Sequence, residues 1–353
     1  MNKTSLYEKH KLLGAKIVDF AGWQMPIQYT SVKEEVQAVR TNVGVFDVSH
    51  MGEFFITGKQ TYDFLDYLLP NDIKNAPMGK AIYSPLCRED GTIIDDLIVY
   101  KLAEEEALVC VNASNIDKDF KWFSDQIKSF DCKLQNKSNE YSLLAIQGPN
   151  AEQVLKQYGL TPKEIPGNYY ECRKNNDTII ARTGYTGEDG FEIFSNHKII
   201  NDLWVNLIEL GVTPCGLAAR DVLRLEVCFP LYGHELNDEV TPLDCGLKWT
   251  VKLNKLDFIG KQSLQNHKPQ FQLVKLTLDR GVPREGYVVL NSQGENIGIV
   301  TSGTMSVSIN KGIALARISV NKYPADEGFN IQIRNQTYTA IKQVKPFITG
   351  SHK

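Results

Sequence analysis

Apolar residues recur at helical spacing in five stretches of the chain. Over residues 31–43, Val32, Val36 and Val39 share one face. Ser31 followed by Glu34 has the form of a capping box, and Gly44 stops the pattern. Residues 114–130 place Ile116, Phe120, Phe123, Ile127 and Phe130 three or four apart, which predicts a second helix. Residues 150–158 and 197–210 are closed by Gly159 and Gly211 and predict two more. A fifth is expected from about Gly216, with Arg220 and Arg224 one turn apart on the same face. Between them lie strand-like runs at 53–57, 92–102, 107–111, 143–146, 178–181 and 191–194.

Helices and strands mix without a strict strand–helix–strand beat, so the expected class is α+β rather than a doubly wound sheet. After about residue 270 the texture changes. Short apolar runs at 273–278, 286–290, 297–301, 313–318 and 329–334 are separated by turn-rich links such as Asn291-Ser292-Gln293-Gly294, and no helical pattern remains. A separate all-β barrel is expected there.

Size and composition narrow the function classes. A chain of 353 residues is too long for one simple core and suggests two or three domains. Net charge is −3 with a pI near 6.1, so no basic excess points to nucleic acid or an anionic membrane. No apolar run approaches the roughly 18 residues of a membrane span. The first residues have no apolar signal core, and Glu8 and Asp19 come too early for an Arg-rich presequence, so a cytoplasmic protein is expected. The seven cysteines, at 87, 110, 132, 172, 215, 228 and 245, form no C-x-x-C pair. The six histidines form no H-E-x-x-H. Neither a metal site nor a disulfide framework is expected. No G-x-G-x-x-G or Walker pattern supports a nucleotide.

Four constellations carry candidate chemistry. Asp95 and Asp96 sit inside the apolar run 92–100. Adjacent strand residues face opposite ways, so one carboxylate turns inward, where it is costly unless satisfied. The bland reading is a β-bulge or an inward Asp bonded by backbone amides. Residues 182–192, Arg-Thr-Gly-Tyr-Thr-Gly-Glu-Asp-Gly-Phe-Glu, combine three glycines with three acids between two strands, either a ligand-binding loop or a plain polar hairpin. Residues 216–226 hold Arg220 and Arg224 in an apolar helix, where they need acids such as Glu192 or Asp96, unless Asp221 and Glu226 make this a solvated face. Finally, Phe20, Trp23, Met25, Tyr29, Phe46, His50 and Met51 could wall a flat heterocycle or simply be core, with His50 a satisfied core histidine.

In their order and spacing these segments resemble the glycine cleavage T-protein family. The likeness runs almost end to end: 20–26, 46–52, 95–100, Ile146-Gln147-Gly148-Pro149, 182–192, 216–225, Asp257-Phe258-Ile259-Gly260-Lys261 and Thr301-Ser302-Gly303. The resemblance implies a three-domain cloverleaf with a central folate site. Its expected division is 1–52 with 139–238 (folate-binding), 53–138 with 239–270 (a second α+β unit), and 271–353 (the barrel). It also implies transfer of an aminomethyl group from lipoylated H-protein to tetrahydrofolate as co-substrate, with no metal or nucleotide. Carried over by position, Asp96 is the catalytic acid. Glu192 holds the pterin amino edge, and Tyr83, Asn112, Tyr170, Tyr185 and Arg220 line the folate, with Tyr169 as the alternative to Tyr170. Thr349 stands where relatives often carry an arginine for the folate tail; Lys345, His352 or Lys353 could substitute in part. The competing readings are a folate-dependent demethylase, which would not require H-protein, and a folate-binding iron–sulfur assembly protein. The latter's Lys-Gly-Cys-Tyr signature has no counterpart in the cysteine-free stretch 256–261.

Overall fold

A computed structural model describes residues 1–324 and 328–351. Two antiparallel sheets face each other. The first runs Cys172–Asn175, Thr178–Ala181, Gly190–Asn196, Tyr141–Gln147 and Gly44–Asp47, and ends on the short strand Thr213–Pro214, which pairs in parallel. The second runs Ala81–Cys87, Ile93–Ala103, Glu106–Val111, Gly52–Thr57 and Lys133–Asn136. The chain leaves the first sheet after Asp47, builds the whole second sheet, and returns at Tyr141. Asn2–Lys3, Lys16–Phe20 and Trp23–Gln28 form a small three-stranded sheet.

Residue alternation explains how the sheets stack. Leu143 and Ala145 point to a shared core with Phe46, Phe55, Tyr100 and Leu108, contributed by both sheets. Leu144 and Ile146 point the other way, under Leu155 and Trp204 of the helices Ala151–Tyr158 and His197–Glu209. In the second sheet Phe54 packs outward on Phe64 and Phe123, from the helices Thr61–Leu68 and Ile116–Gln126. A sheet covered on both faces reads as a continuous apolar run, which is why 141–147 shows no alternation.

The predicted helices are present with trimmed ends. Ser31 caps Val32–Thr41, its Oγ accepting from the Glu34 N–H at 3.2 Å. The stretch 114–130 is interrupted, with 3₁₀ turns at Ala113–Asn115 and Ile127–Ser129 flanking Ile116–Gln126. The strand Ala81–Cys87 escapes sequence reading because Pro85 lies inside it; it is tolerated because this strand is the sheet's edge. Six strands close into a barrel in the order Phe271–Leu278, Gly312–Ser319, Asn296–Met305, Val288–Leu290, Phe329–Ile333 and Gln336–Gln343. Its sixth strand, Gln336–Gln343, is too polar to stand out in the sequence. Among the described residues no helix is long and apolar enough to cross a membrane.

Candidate functional site

Asp95 and Asp96 part company at the strand Ile93–Ala103. The pairing with Ala81–Cys87 slips by one residue between Leu86 and Cys87, a bulge at Ile94. Asp95 is fully buried and accepts from three N–H groups: the Asn112 side chain at 2.8 Å, the Asn115 side chain at 2.7 Å and the Asn112 backbone at 3.1 Å. Asp95 is thus the inward, satisfied acid beside a bulge, with two of its three donors side-chain amides rather than backbone. Asp96 faces the first sheet and is only half-buried. It accepts from the Tyr83 hydroxyl at 3.0 Å and from the Asn112 side chain at 2.9 Å. Burial, and then the charge of Asp95, push its carboxyl up to about 7. Tyr83 is stacked on Trp249, with ring centroids 5.9 Å apart. Trp249 is 58% exposed and carried no signal in the sequence.

In the loop 182–192 the acids divide by role. Arg182 is buried and grips Asp189 through two bonds of 2.8 and 2.6 Å. Glu188 pairs with Arg40 at 2.7 Å. Gln147 bonds the Thr183 carbonyl and the Thr186 hydroxyl, and a Cβ on Gly184 would fall 2.0 Å from its Oε1. The glycines therefore serve close packing of the loop on Gln147. Glu192 is the remaining acid. It is 7% exposed and accepts only hydroxyls, Thr183 at 2.6 Å and Tyr100 at 3.4 Å, and among the described residues it forms no ion pair. Its cross-strand neighbours Ala145 and Ala181 leave room beside it.

Arg224 and Arg220, which need acidic partners in an apolar helix, differ in what they find. Arg224 is consumed by Asp221 at 2.8 Å and Glu235 at 3.0 Å, rather than by Glu192 or Asp96. Arg220 lies 4.8 Å over the Tyr185 ring and has one buried, unbonded guanidinium nitrogen. Burial pulls its affinity for protons down, while the charge of Glu192 holds it up. His50 departs from the expectation of a satisfied core residue: it is buried with Nδ1 unpartnered, and burial drops its pKa to about 4.

The seven candidates are linked in pairs: Tyr83 and Asn112 bond Asp96, and Tyr170 and Arg220 feel the charge of Glu192. Tyr185 feels the charges of both Asp96 and Arg220. Tyr169 and Tyr170 meet edge to face at 4.6 Å, and both feel Glu192, so the alternative between them becomes a pair. Tyr170 adopts a φ of 60°, unusual for a non-glycine residue. Asp96 and Tyr100 share a face four residues apart, about 13 Å along the strand, so the half-buried Asp96 and the buried Tyr100–Glu192 contact lie at opposite ends of one strand face. Ile98 and Cys110 are cross-strand neighbours between them. Thr349 is exposed on the terminal segment, which is tied down by the Ile348 N–H to the Glu226 carbonyl at 3.0 Å. His352 and Lys353 lie outside the described residues. No group of His, Cys, Asp and Glu able to hold a metal occurs among the described residues.

Comparison with known proteins agrees with this architecture. The GCVT N-terminal domain pattern matches residues 6–255, and the glycine cleavage T-protein C-terminal barrel domain matches 272–348. An aminomethyltransferase of Thermosipho melanesiensis is 47% identical over 100% of this chain and 99% of its own. One from Thermotoga maritima is 46% identical over 99% of each. The crystal structure of glycine cleavage system aminomethyltransferase T from Bartonella henselae superposes with a TM-score of 0.94 at 33% identity, covering 99% of both chains. With both halves matched and relatives this similar along their whole length, the chain belongs to the glycine cleavage T-protein family.

Proposed function

We propose that this transferase moves an aminomethyl group from the lipoyl arm of H-protein to tetrahydrofolate, giving 5,10-methylenetetrahydrofolate, ammonium and dihydrolipoyl H-protein. Two carbon–nitrogen bonds form, at folate N5 and N10, while the carbon–sulfur and carbon–nitrogen bonds of the arm break. Of the two protons that leave the folate nitrogens, one ends on sulfur and one on ammonia.

The observation that carries this reading is the presence of two unlike carboxyls on facing sheets, Asp96 on the second and Glu192 on the first. Glu192 has no cation of its own and can accept two parallel hydrogen bonds from a pterin ring N–H and amino group. The unbonded nitrogen of Arg220 is left for a polar ligand atom. The half-buried tyrosines 83, 169, 170 and 185 offer flat apolar faces with polar tips. Asp96, held to about 7, can bind and release a proton at neutral pH, and from this wall it would orient folate N10 and move a proton as N5 attacks.

The test compares neighbours. With folate and H-protein saturating, Asp96→Asn is expected to bind tetrahydrofolate nearly normally and to lose about 10²–10⁴-fold in kcat, the usual worth of a positioned acid–base group. A well-folded Asp95→Asn should lose less. Near wild-type turnover in Asp96→Asn removes the assignment. Turnover without lipoyl H-protein would favour the demethylase reading instead.

A further inference from the structure

The helix Ile116–Gln126 carries a buried acid that the reaction, as described, does not use. Asp119 is 0% exposed, and neither of its carboxyl oxygens meets an N–H or hydroxyl donor. Its place follows from the helix. Asn115 and Asp119 are one turn apart, Asn115 donates to Asp95 at 2.7 Å, and the Asp119 carboxyl faces the same Asp95. The two carboxyls are not equivalent. Asp95 already accepts from three N–H groups, whereas Asp119 has no such donor and is surrounded by protein. Two facing carboxylates in such a place cannot both ionise.

We propose that Asp119 is a positioning residue. It carries the proton of a shared pair with Asp95, so that Asp95 stays fixed as the acceptor that clamps Asn112, and Asn112 in turn holds Asp96 for the transfer reaction. Each link is in the structure. Asn112 donates its backbone N–H and side-chain amide to Asp95, and the same amide also reaches Asp96 Oδ1 at 2.9 Å and the Asp96 carbonyl at 3.1 Å. Burial and Asp95 together drive Asp119 up to about 11, so its proton stays on at neutral pH. The charged groups facing the pair are Asp96 from the strand and Lys118 from the same helix. Tyr232, in the loop after the helix Leu217–Glu226, feels the Asp95 charge and accepts from Lys118 at 2.7 Å. The proton bridge spreads the Asp95 charge over two carboxyls. Without it, the full charge sits beside Asp96 and raises Asp96 further.

This inference rests on Asp96 being the acid of the reaction, so the experiment reads the proton and the turnover separately. The full chain is made as Asp119→Asn, whose amide can still donate to Asp95, and as Asp119→Leu, which cannot. Infrared spectra of the wild type at neutral pH should show a protonated-carboxyl carbonyl stretch that is lost in Asp119→Asn; no loss overturns the shared proton whatever Asp96 does. In the transfer assay Asp119→Asn should keep kcat within about threefold of wild type. Asp119→Leu should lose at least about tenfold in kcat with little change in folate KM, and its acid limb should move to higher pH. A folded Asp119→Leu with wild-type kcat and pH profile overturns the positioning role. So does an Asp119→Asn as impaired as Asp119→Leu, because the conservative variant then fails to rescue. If Asp96→Asn itself turns over normally, the acid assignment fails, and the infrared result alone judges the proton.

Discussion

At the scale of single residues, the protein gives two adjacent aspartates opposite fates by giving them different donors. Asp95 accepts three N–H bonds in the interior, while Asp96 accepts one hydroxyl and one amide at a half-buried wall. The second arrangement costs stability. In the unfolded chain an aspartate titrates near 3.9; in the folded protein Asp96 titrates at about 7. Because the folded value is raised, the contribution of this group to stability is fully present below about pH 4 and is lost as pH rises to about 7. Asp96→Asn removes that loss, and the Tyr83 hydroxyl can turn to accept from the new amide. The variant should equal wild type in stability near pH 4 and exceed it by about 1–3 kcal/mol at pH near 8. Chemical denaturation at the two pH values reads the difference, and a variant less stable than wild type at the higher pH contradicts the account.

Elements position the site through close backbone approach. The helix Leu217–Glu226 begins at Gly216, whose N–H is held by Glu35 at 2.8 Å. A Cβ at Gly216 would sit 2.3 Å from the carbonyl carbon and oxygen of Ile27, in the strand Trp23–Gln28. Backbone cannot yield as a flexible side chain can, so Gly216→Ala must push the helix, and Arg220 with it, off the hairpin. Overpacking of this kind costs about 1–3 kcal/mol. Gly216→Ala should lower the melting temperature and weaken tetrahydrofolate binding together, read by calorimetry on the same sample. An unchanged folate affinity would mean that the placement of Arg220 does not depend on this contact.

Across the whole molecule, one carboxylate ties distant parts of the chain. Glu226 is fully buried at the end of that helix. It accepts from Arg40 of the helix Val32–Thr41 at 2.8 Å. It also accepts from the Ser306 hydroxyl at 2.7 Å, and from the Ser308 hydroxyl and N–H at 2.9 and 3.0 Å, in the turn between two barrel strands. Removing one partner of a buried pair leaves the other uncompensated and costs about 3–5 kcal/mol. Glu226→Ala should lose stability of that order and expose the segment between Asn266 and Phe271 to proteolysis, as the barrel loosens from the sheets. Glu226→Gln, which keeps an acceptor, should lose less. Wild-type proteolysis kinetics in Glu226→Ala would show that the barrel is held by its apolar contacts alone.

Sequence by itself determined the parts whose signal is local. Helical spacing with caps at Ser31 and Gly159 marked elements within a few residues, and the change of texture after residue 270 marked the barrel. Adjacent carboxylates in an apolar strand forced one inward, and the order of the motifs identified the family. Tertiary structure decided what depends on partners far along the chain. Which aspartate is satisfied depends on Asn112 and Asn115, contributed after the next strand. Which arginine is spent depends on Glu235, and Arg224 took it, leaving Arg220 with an unbonded nitrogen. Of the loop's three acids, Arg182 and Arg40 claim two, and Glu192 is left without an ion pair among the described residues. Glu53 and Asp119 look like ordinary residues in the sequence and, like His50, are left with unpartnered polar atoms only by burial. Spacing along a chain fixes which face a side chain takes, but its charge state is set by the groups that the other sheet and the neighbouring helices bring against it.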